Sequence, residues 1–373
     1  MPRAILYLLS FIAGVSFWRD MSGFFGLAGS VLAGAFETAL ALGYTSRRLT
    51  LTAFLPGAAA YLAAFVCDLT VGGLSALRAA ADALTALYPT VAAIPIWLTV
   101  RGKKNRSESI VASASASAVF WTLFAGLQVL IFYGDLGADT IRLALSDFMS
   151  PLGDALSSLT FDHGNSSLPF LGDADIEAVL DLLKRTLIGS VGAILTAMSY
   201  LMTLALRYFS EGFGIDSLLP SSTRLIISES ENGEKRIDET DLGWRIEPDS
   251  VSATVMLISY MLTILLGGLG SRLPFTAAIY NIVLILTPCF FYAGVRSVIY
   301  CFTGSPAMSP GGSGRIGGVG RGCLIITMSA LLFFVAPTSP IVLLTGVGVI
   351  SVLTENHTRL AADYSIDDND RKE

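Results

Sequence analysis

Only two histidines occur in the 373 residues, His163 and His357, and neither lies inside an apolar run. A histidine-based zinc site or a serine–histidine dyad within a membrane therefore cannot be built. The four cysteines, Cys67, Cys289, Cys301 and Cys323, sit in or beside apolar stretches without metal-ligand spacing. They read as small hydrophobes, so neither a disulfide framework nor a metal site is expected. No G-x-x-x-x-G-K-[ST] phosphate loop is present, which excludes ATP hydrolysis of that kind. The formal G-x-G-x-x-G match from Gly312 to Gly317 follows no strand pattern and reads as a flexible loop. Charge is scarce as well: 14% of residues are Asp, Glu, Lys or Arg, and the net charge of −6 argues against a nucleic-acid partner. These absences favour a non-enzymatic protein with no catalytic residue and no cofactor.

What is abundant is apolar surface. Hydrophobic residues make up 53% of the chain and mean hydropathy is +0.65, more than water-soluble packing uses. A helix crosses the hydrocarbon with about 20 apolar residues. Such runs fall near 4–17, 22–44, 50–68, 87–100, 109–134, 186–209, 251–270 and 274–302, with a last one over 322–354 that is broken by Pro337 and Pro340. The proline break favours a hairpin of two short helices there. The fold expected is all-α, a polytopic membrane bundle of about 8–10 transmembrane helices. The first run is followed by Trp18-Arg19-Asp20 rather than a small-residue cleavage site, and is read as a membrane helix.

The pattern divides the chain into residues 1–209, a six-pass bundle; 210–250, an acidic loop; 251–354, further membrane helices; and 355–373, an acidic tail expected to be disordered. With the N-terminus inside, Lys and Arg collect on one side: Arg3, Arg47, Arg48, Arg101, Lys103, Lys104, Arg106, Arg207 and the basic residues of the loop and tail. Arg19, Arg78, Arg142, Lys184, Arg185 and Arg272 remain opposite. The positive-inside rule then puts both termini in the cytoplasm of a bacterial inner membrane. Within the external segment 135–185, Leu145, Met149, Leu152, Leu156 and Leu159 mark one face of an amphipathic helix. Within the cytoplasmic loop, two strand-like arms flank Asn232-Gly233, the signature of a β-hairpin.

Few side chains remain that carry chemistry inside lipid. Arg296 stands in the apolar run CFFYAGVRSVIYCF, and Glu37 in GAFETALALG lies at a comparable depth. An intramembrane charge costs at least ~2.5–3.5 kcal/mol. The two are expected to form a buried ion pair, lining a substrate path or clamping helices; Arg296 snorkelling to the interface is the alternative. Asp68 reads as an interfacial carboxylate or the rim of an external mouth. Asn281 reads as an inter-helix hydrogen-bonding residue or a ligand contact. Gly26, Ser30 and Gly34 form one small-residue face, and Ala35, Ala39 and Gly43 another, suited to close helix packing or to docking a partner subunit.

The second half resembles the YybS-like family of bacterial membrane proteins, a domain of unknown function. The likeness is carried by Trp244-Arg245-Ile246-Glu247-Pro248, by the helix YNIVLILTPCFFYAGVRSVIY with Asn281 and Gly294, and by a closing pair of short apolar segments. The tail ENHTRLAADYSIDD departs from that family's Asp-aromatic-Arg close. The resemblance extends distantly to the S components of energy-coupling-factor transporters. It implies a small-molecule carrier or substrate-binding membrane subunit, with the lipid bilayer, a small-molecule ligand, and a membrane partner subunit or separate ATPase as partners. The alternative is a non-catalytic membrane scaffold in envelope biogenesis or division.

Overall fold

The computed structural model describes residues 3–21, 23–44, 47–104, 106–147, 150, 173–215, 218–219, 223–229, 235–241, 250–265, 274–303 and 341–353. Among these, six stretches are helical, long and apolar enough to cross a membrane: Phe24–Leu42, Thr50–Thr70, Ala76–Arg101, Arg106–Tyr133, Lys184–Tyr208 and Phe275–Val295. The chain is thus a helical protein with the make-up of a multi-pass membrane protein. Further apolar helices are shorter: α1 (Arg3–Arg19), Ser250–Thr263 and Ile341–Leu353. The first arm of the expected 322–354 hairpin, the tail 355–373, and Met149, Leu152, Leu156 and Leu159 lie outside the described residues.

Contacts divide the chain into two compact units, Met1–Arg185 with Met198–Ile246, and Thr186–Ala197 with Glu247–Glu373. In the first, α1 packs along α2 (Phe24–Leu42), and α2 along α6 (Tyr88–Arg101). Small residues allow this. A Cβ on Gly29 would lie 2.7 Å from the Ala13 carbonyl of α1, and one on Gly34 would lie 3.3 Å from the Pro89 carbonyl of α6. Helix α2 is the centre of the unit, 72% buried over its apolar window, against 6% for α7 (Arg106–Tyr133). Short α3 (Arg47–Thr52) leads into α4 (Leu55–Thr70), which carries Pro56 in its first turn, where the missing N–H has no intrahelical role.

The sequence places the fourth pass at 87–100. The structure extends it back through α5 (Ala76–Ala83) and a 3₁₀ turn (Leu84–Leu87) to Ala76. Ala79, Ala81, Ala83 and Ala86 are buried, and Ala83 and Ala86 join Ala60 and Ala64 of α4 in one core cluster. Burial of these alanines outweighs the charges of Arg78 and Asp82.

Side-chain contacts identify the helix ends that lie together. At one end, Arg3 donates to the Gly43 carbonyl at 2.9 Å and stacks on Tyr44, while the Tyr7 hydroxyl meets Tyr44 and Thr52. Phe54 packs on Trp97, with Arg101 over the same indole. At the other end, Gln128 donates to Asp82 at 2.9 Å and Arg78 lies over Phe132. A basic, aromatic end with Arg3 and Arg101 thus opposes one that carries Arg78 and Asp82 together. Beyond Tyr133 a further helix, α8 (138–147), follows an Asx turn in which Asp135 accepts from the Gly137 N–H at 2.8 Å.

Helix α9 (Asp173–Tyr208) contributes to both units, and α10 (Ser210–Phe213) follows it. Strands β1 (Thr223–Glu229) and β2 (Lys235–Asp241) pair antiparallel, Glu229 opposite Lys235; Asn232 and Gly233 lie outside the described residues. The second unit holds residues 186–197 of α9, α11 (Ser250–Leu265), α12 (Pro274–Thr303) and α13 (Ile341–Leu353). Its core comprises Ala253, Met256, Val283, Phe290, Val349 and Val352. Gly294 and Gly348 let α12 and α13 touch backbone to backbone: a Cβ on either would collide with the carbonyl of Leu344 or Phe290.

Candidate functional site

Glu37 lies two-thirds of the way along α2, on the face that small residues press against its neighbours. Its side chain is 1% exposed. The Ser10 hydroxyl of α1 can donate to Glu37 Oε1 at 3.3 Å or to the Ala33 carbonyl at 3.5 Å, one turn earlier on α2. The first turn of α4 brings the Gly57 amide beside the carboxyl, and α6 brings Thr90. Four helices therefore meet at one carboxyl group.

Gly57 makes that meeting sterically feasible. A Cβ there would lie 3.1 Å from Glu37 Oε1 and would collide with the Thr90 hydroxyl. Two buried oxygens in this cluster, Glu37 Oε2 and Thr90 Oγ1, lack a well-formed hydrogen bond among the described residues. Next to Glu37, the Thr38 hydroxyl is satisfied by the Gly34 carbonyl at 2.8 Å. The arrangement is a small polar centre in an apolar bundle, where an anion is costly and its hydrogen-bond donors are Ser10, Thr90 and the Gly57 amide.

A second polar column runs along α7. Arg106 is 1% exposed; its Nε donates to Thr203 of α9 at 3.0 Å, and its guanidinium lies over the Tyr200 ring. The Thr99 hydroxyl of α6 donates to Ser109 at 2.7 Å. Ser199 of α9 donates to Ser113 at 3.0 Å, and Ser113 donates to the Ala92 carbonyl at 2.9 Å. Ser117 is buried farther along the same face, whereas Ser115 points outward. Of the serines in ASASASA, then, only those four residues apart face the bundle. The sequence counts Arg106 among the cytoplasmic-side charges that precede the apolar run 109–134. The helix starts at Arg106 itself and turns it inward.

No family model, curated protein or solved structure matches this chain. The site must be read from its own geometry.

The other sequence candidates fall in separate places. Arg296 lies on α12, but its side chain is outside the described residues, and the partners described for Glu37 are Ser10, Thr90 and Gly57. Asn281 accepts from the Gly189 N–H of α9 at 2.9 Å, and a Cβ on Gly189 would collide with its side chain. It thus joins two helices of the second unit. Asp68, half-buried near the C-terminal end of α4, is close to Trp18 and Asp82. Gly26, Ser30, Gly34, Ala35 and Ala39 are all buried in the first unit, and Gly43 ends α2. They pack helices together.

Sequence reasoning singled out Glu37 but missed Ser10, Gly57, Thr90 and the α7 column. The column has a readable signal, Arg106, Ser109, Ser113 and Ser117 at helical spacings. The Glu37 neighbours have none, because each is an ordinary small residue in an apolar run.

Proposed function

We propose that this chain is a multi-pass protein of a bacterial cytoplasmic membrane that binds and carries a small molecule, as a carrier or an S-component-like membrane subunit without its own ATPase. The single observation that supports the reading is the convergence of α1, α2, α4 and α6 on the Glu37 carboxyl. Proteins rarely place an ionisable group at this depth for packing alone, since it weakens the bundle unless something binds there. The basic end of the first unit faces the cytoplasm by the positive-inside rule, which puts both termini and the β1–β2 hairpin inside and α8 outside. The resemblance to YybS-like proteins points the same way.

The test is native purification followed by mass spectrometry of molecules released on denaturation. A defined small molecule should accompany the wild-type protein and fall about tenfold in Glu37→Gln, equivalent to about 1.4 kcal/mol of binding. Equal amounts from both proteins, or none from either, would remove the carrier reading and leave a scaffold.

A further inference from the structure

Two neighbouring buried oxygens have no well-formed hydrogen bond among the described residues: Glu37 Oε2 and Thr90 Oγ1. Thr90 Oγ1 and the other carboxyl oxygen, Glu37 Oε1, face the gap kept open by Gly57, and Thr90 is a hydrogen-bonding neighbour of the carboxyl. Buried polar atoms are nearly always satisfied, so such a pair marks a place for an occupant. A Thr90 hydroxyl donating to the carboxylate would pair the two oxygens but leave a full negative charge buried among neutral groups. A proton on Oε2 alters this. The acid donates to Thr90 Oγ1, both orphan atoms are satisfied at once, and Oε1 keeps its bond from Ser10.

From α1 the group facing the carboxyl is Ser10, from α4 Gly57 and from α6 Thr90. From α9, Met202 packs at Gly34, one turn away. None of these titrates. The side chains of Arg47 and Arg48 in α3 lie outside the described residues. A metal ion fits less well than a proton. It needs several oxygen ligands in a shell, and here one carboxylate and two hydroxyls are supplied. Among the described residues no group of three or more His, Cys, Asp or Glu gathers anywhere.

We propose that Glu37 is a proton-binding site of this membrane protein, the proton residing on Oε2 and donated to Thr90 Oγ1, and that its loading and release couple the bundle to a proton gradient. The reaction is the reversible conversion of one carboxylate and one proton to one carboxylic acid. The Ser10 hydroxyl and the Gly57 amide in the first turn of α4 hold the anion between rounds. This inference deepens the carrier reading by naming its energy source, and rests on it.

The experiment is pH-difference infrared spectroscopy on the full chain in lipid nanodiscs. Wild-type protein should show a carboxylic C=O band whose intensity follows bulk pH. The band should vanish in Glu37→Gln, shift to higher frequency in Thr90→Val as its hydrogen bond is lost, and return in Thr90→Ser. If Glu37→Gln does not fold, the shift and its rescue at position 90 decide the matter. A band unaffected by these variants, or one present but constant with pH, would overturn the proposal. Replacing choline by sodium at fixed pH should change nothing; a sodium-dependent loss of the band together with higher thermal stability would make the occupant a metal ion. Failure here leaves the released small molecule untouched, and failure of the carrier reading leaves the band untouched.

Discussion

Arg106 Nε donates to Thr203 Oγ1 at 3.0 Å, joining the first residue of α7 to the last two turns of α9. A guanidinium with 1% exposure is held here by directional contacts, one to a hydroxyl and one to the Tyr200 ring. Lysine offers neither a planar fork nor the same stacking. Arg106→Lys should therefore destabilise the protein by about 1–3 kcal/mol, the cost of leaving a buried partner unsatisfied. Arg101→Lys, at an exposed position, should stay within about 0.5 kcal/mol. Denaturant unfolding in detergent distinguishes them; equal effects would mean that Arg106 is solvated.

Ser10 supplies one hydrogen bond to the Glu37 carboxyl from α1. Ser10→Ala keeps the close packing and removes that bond, for an expected loss of about 0.5–1.5 kcal/mol. Ser10→Leu should cost more, because α1 and α2 cannot separate without breaking their small-residue contact. Thermal unfolding of the purified variants gives the order.

Glycines in this chain predict opposite outcomes. At Gly294 and Gly348 a Cβ meets backbone, which cannot rotate away, so alanine at either should destabilise by about 1–3 kcal/mol or more. At Gly126, inside α7, a Cβ meets nothing within 4 Å. Alanine there should stabilise by about 0.5–1 kcal/mol through helix propensity alone. Unfolding free energies of the three variants should differ in sign.

Sidedness is tested by single cysteines in a background lacking the native ones. Lys104→Cys should react with a membrane-impermeant thiol reagent only after cells are opened. Asp139→Cys, in α8, should react on intact cells. The reverse pattern would invert the topology.

Asp135 begins the turn into α8, and bonds from Thr140 and the Gly137 amide hold its carboxyl below the ordinary 3.8. A depressed carboxyl stabilises the turn above the ordinary value and loses that contribution as pH falls through the folded one. The protection factors of amides 137–147, taken against the intrinsic exchange rate at each pH, should therefore be lower in acid than near neutrality. Asp135→Asn should flatten that dependence.

Much of the architecture was legible in one dimension. Lipid demands long uncharged helical runs, so hydropathy found the six long apolar helices, although it began the fourth pass at residue 87 where the structure begins it at Ala76. Glu37 stood out because a charge in such a run is costly wherever it lies. The spacing of Arg106, Ser109, Ser113 and Ser117 marks one face of α7, but their partners Thr203, Thr99 and Ser199 depend on how α6, α7 and α9 are rotated.

The amino-acid order by itself determined that this is a membrane-type helical chain, with glycine and alanine faces for tight crossing and basic residues gathered at alternate helix ends. Only the tertiary structure decided that Ser10, Gly57 and Thr90 surround Glu37, and that Arg106 turns inward rather than toward water. The reason is physical. Hydrophobicity is a property of each segment alone, whereas a polar centre exists only where helix rotations, set by which small residues touch, bring side chains distant in sequence to one point.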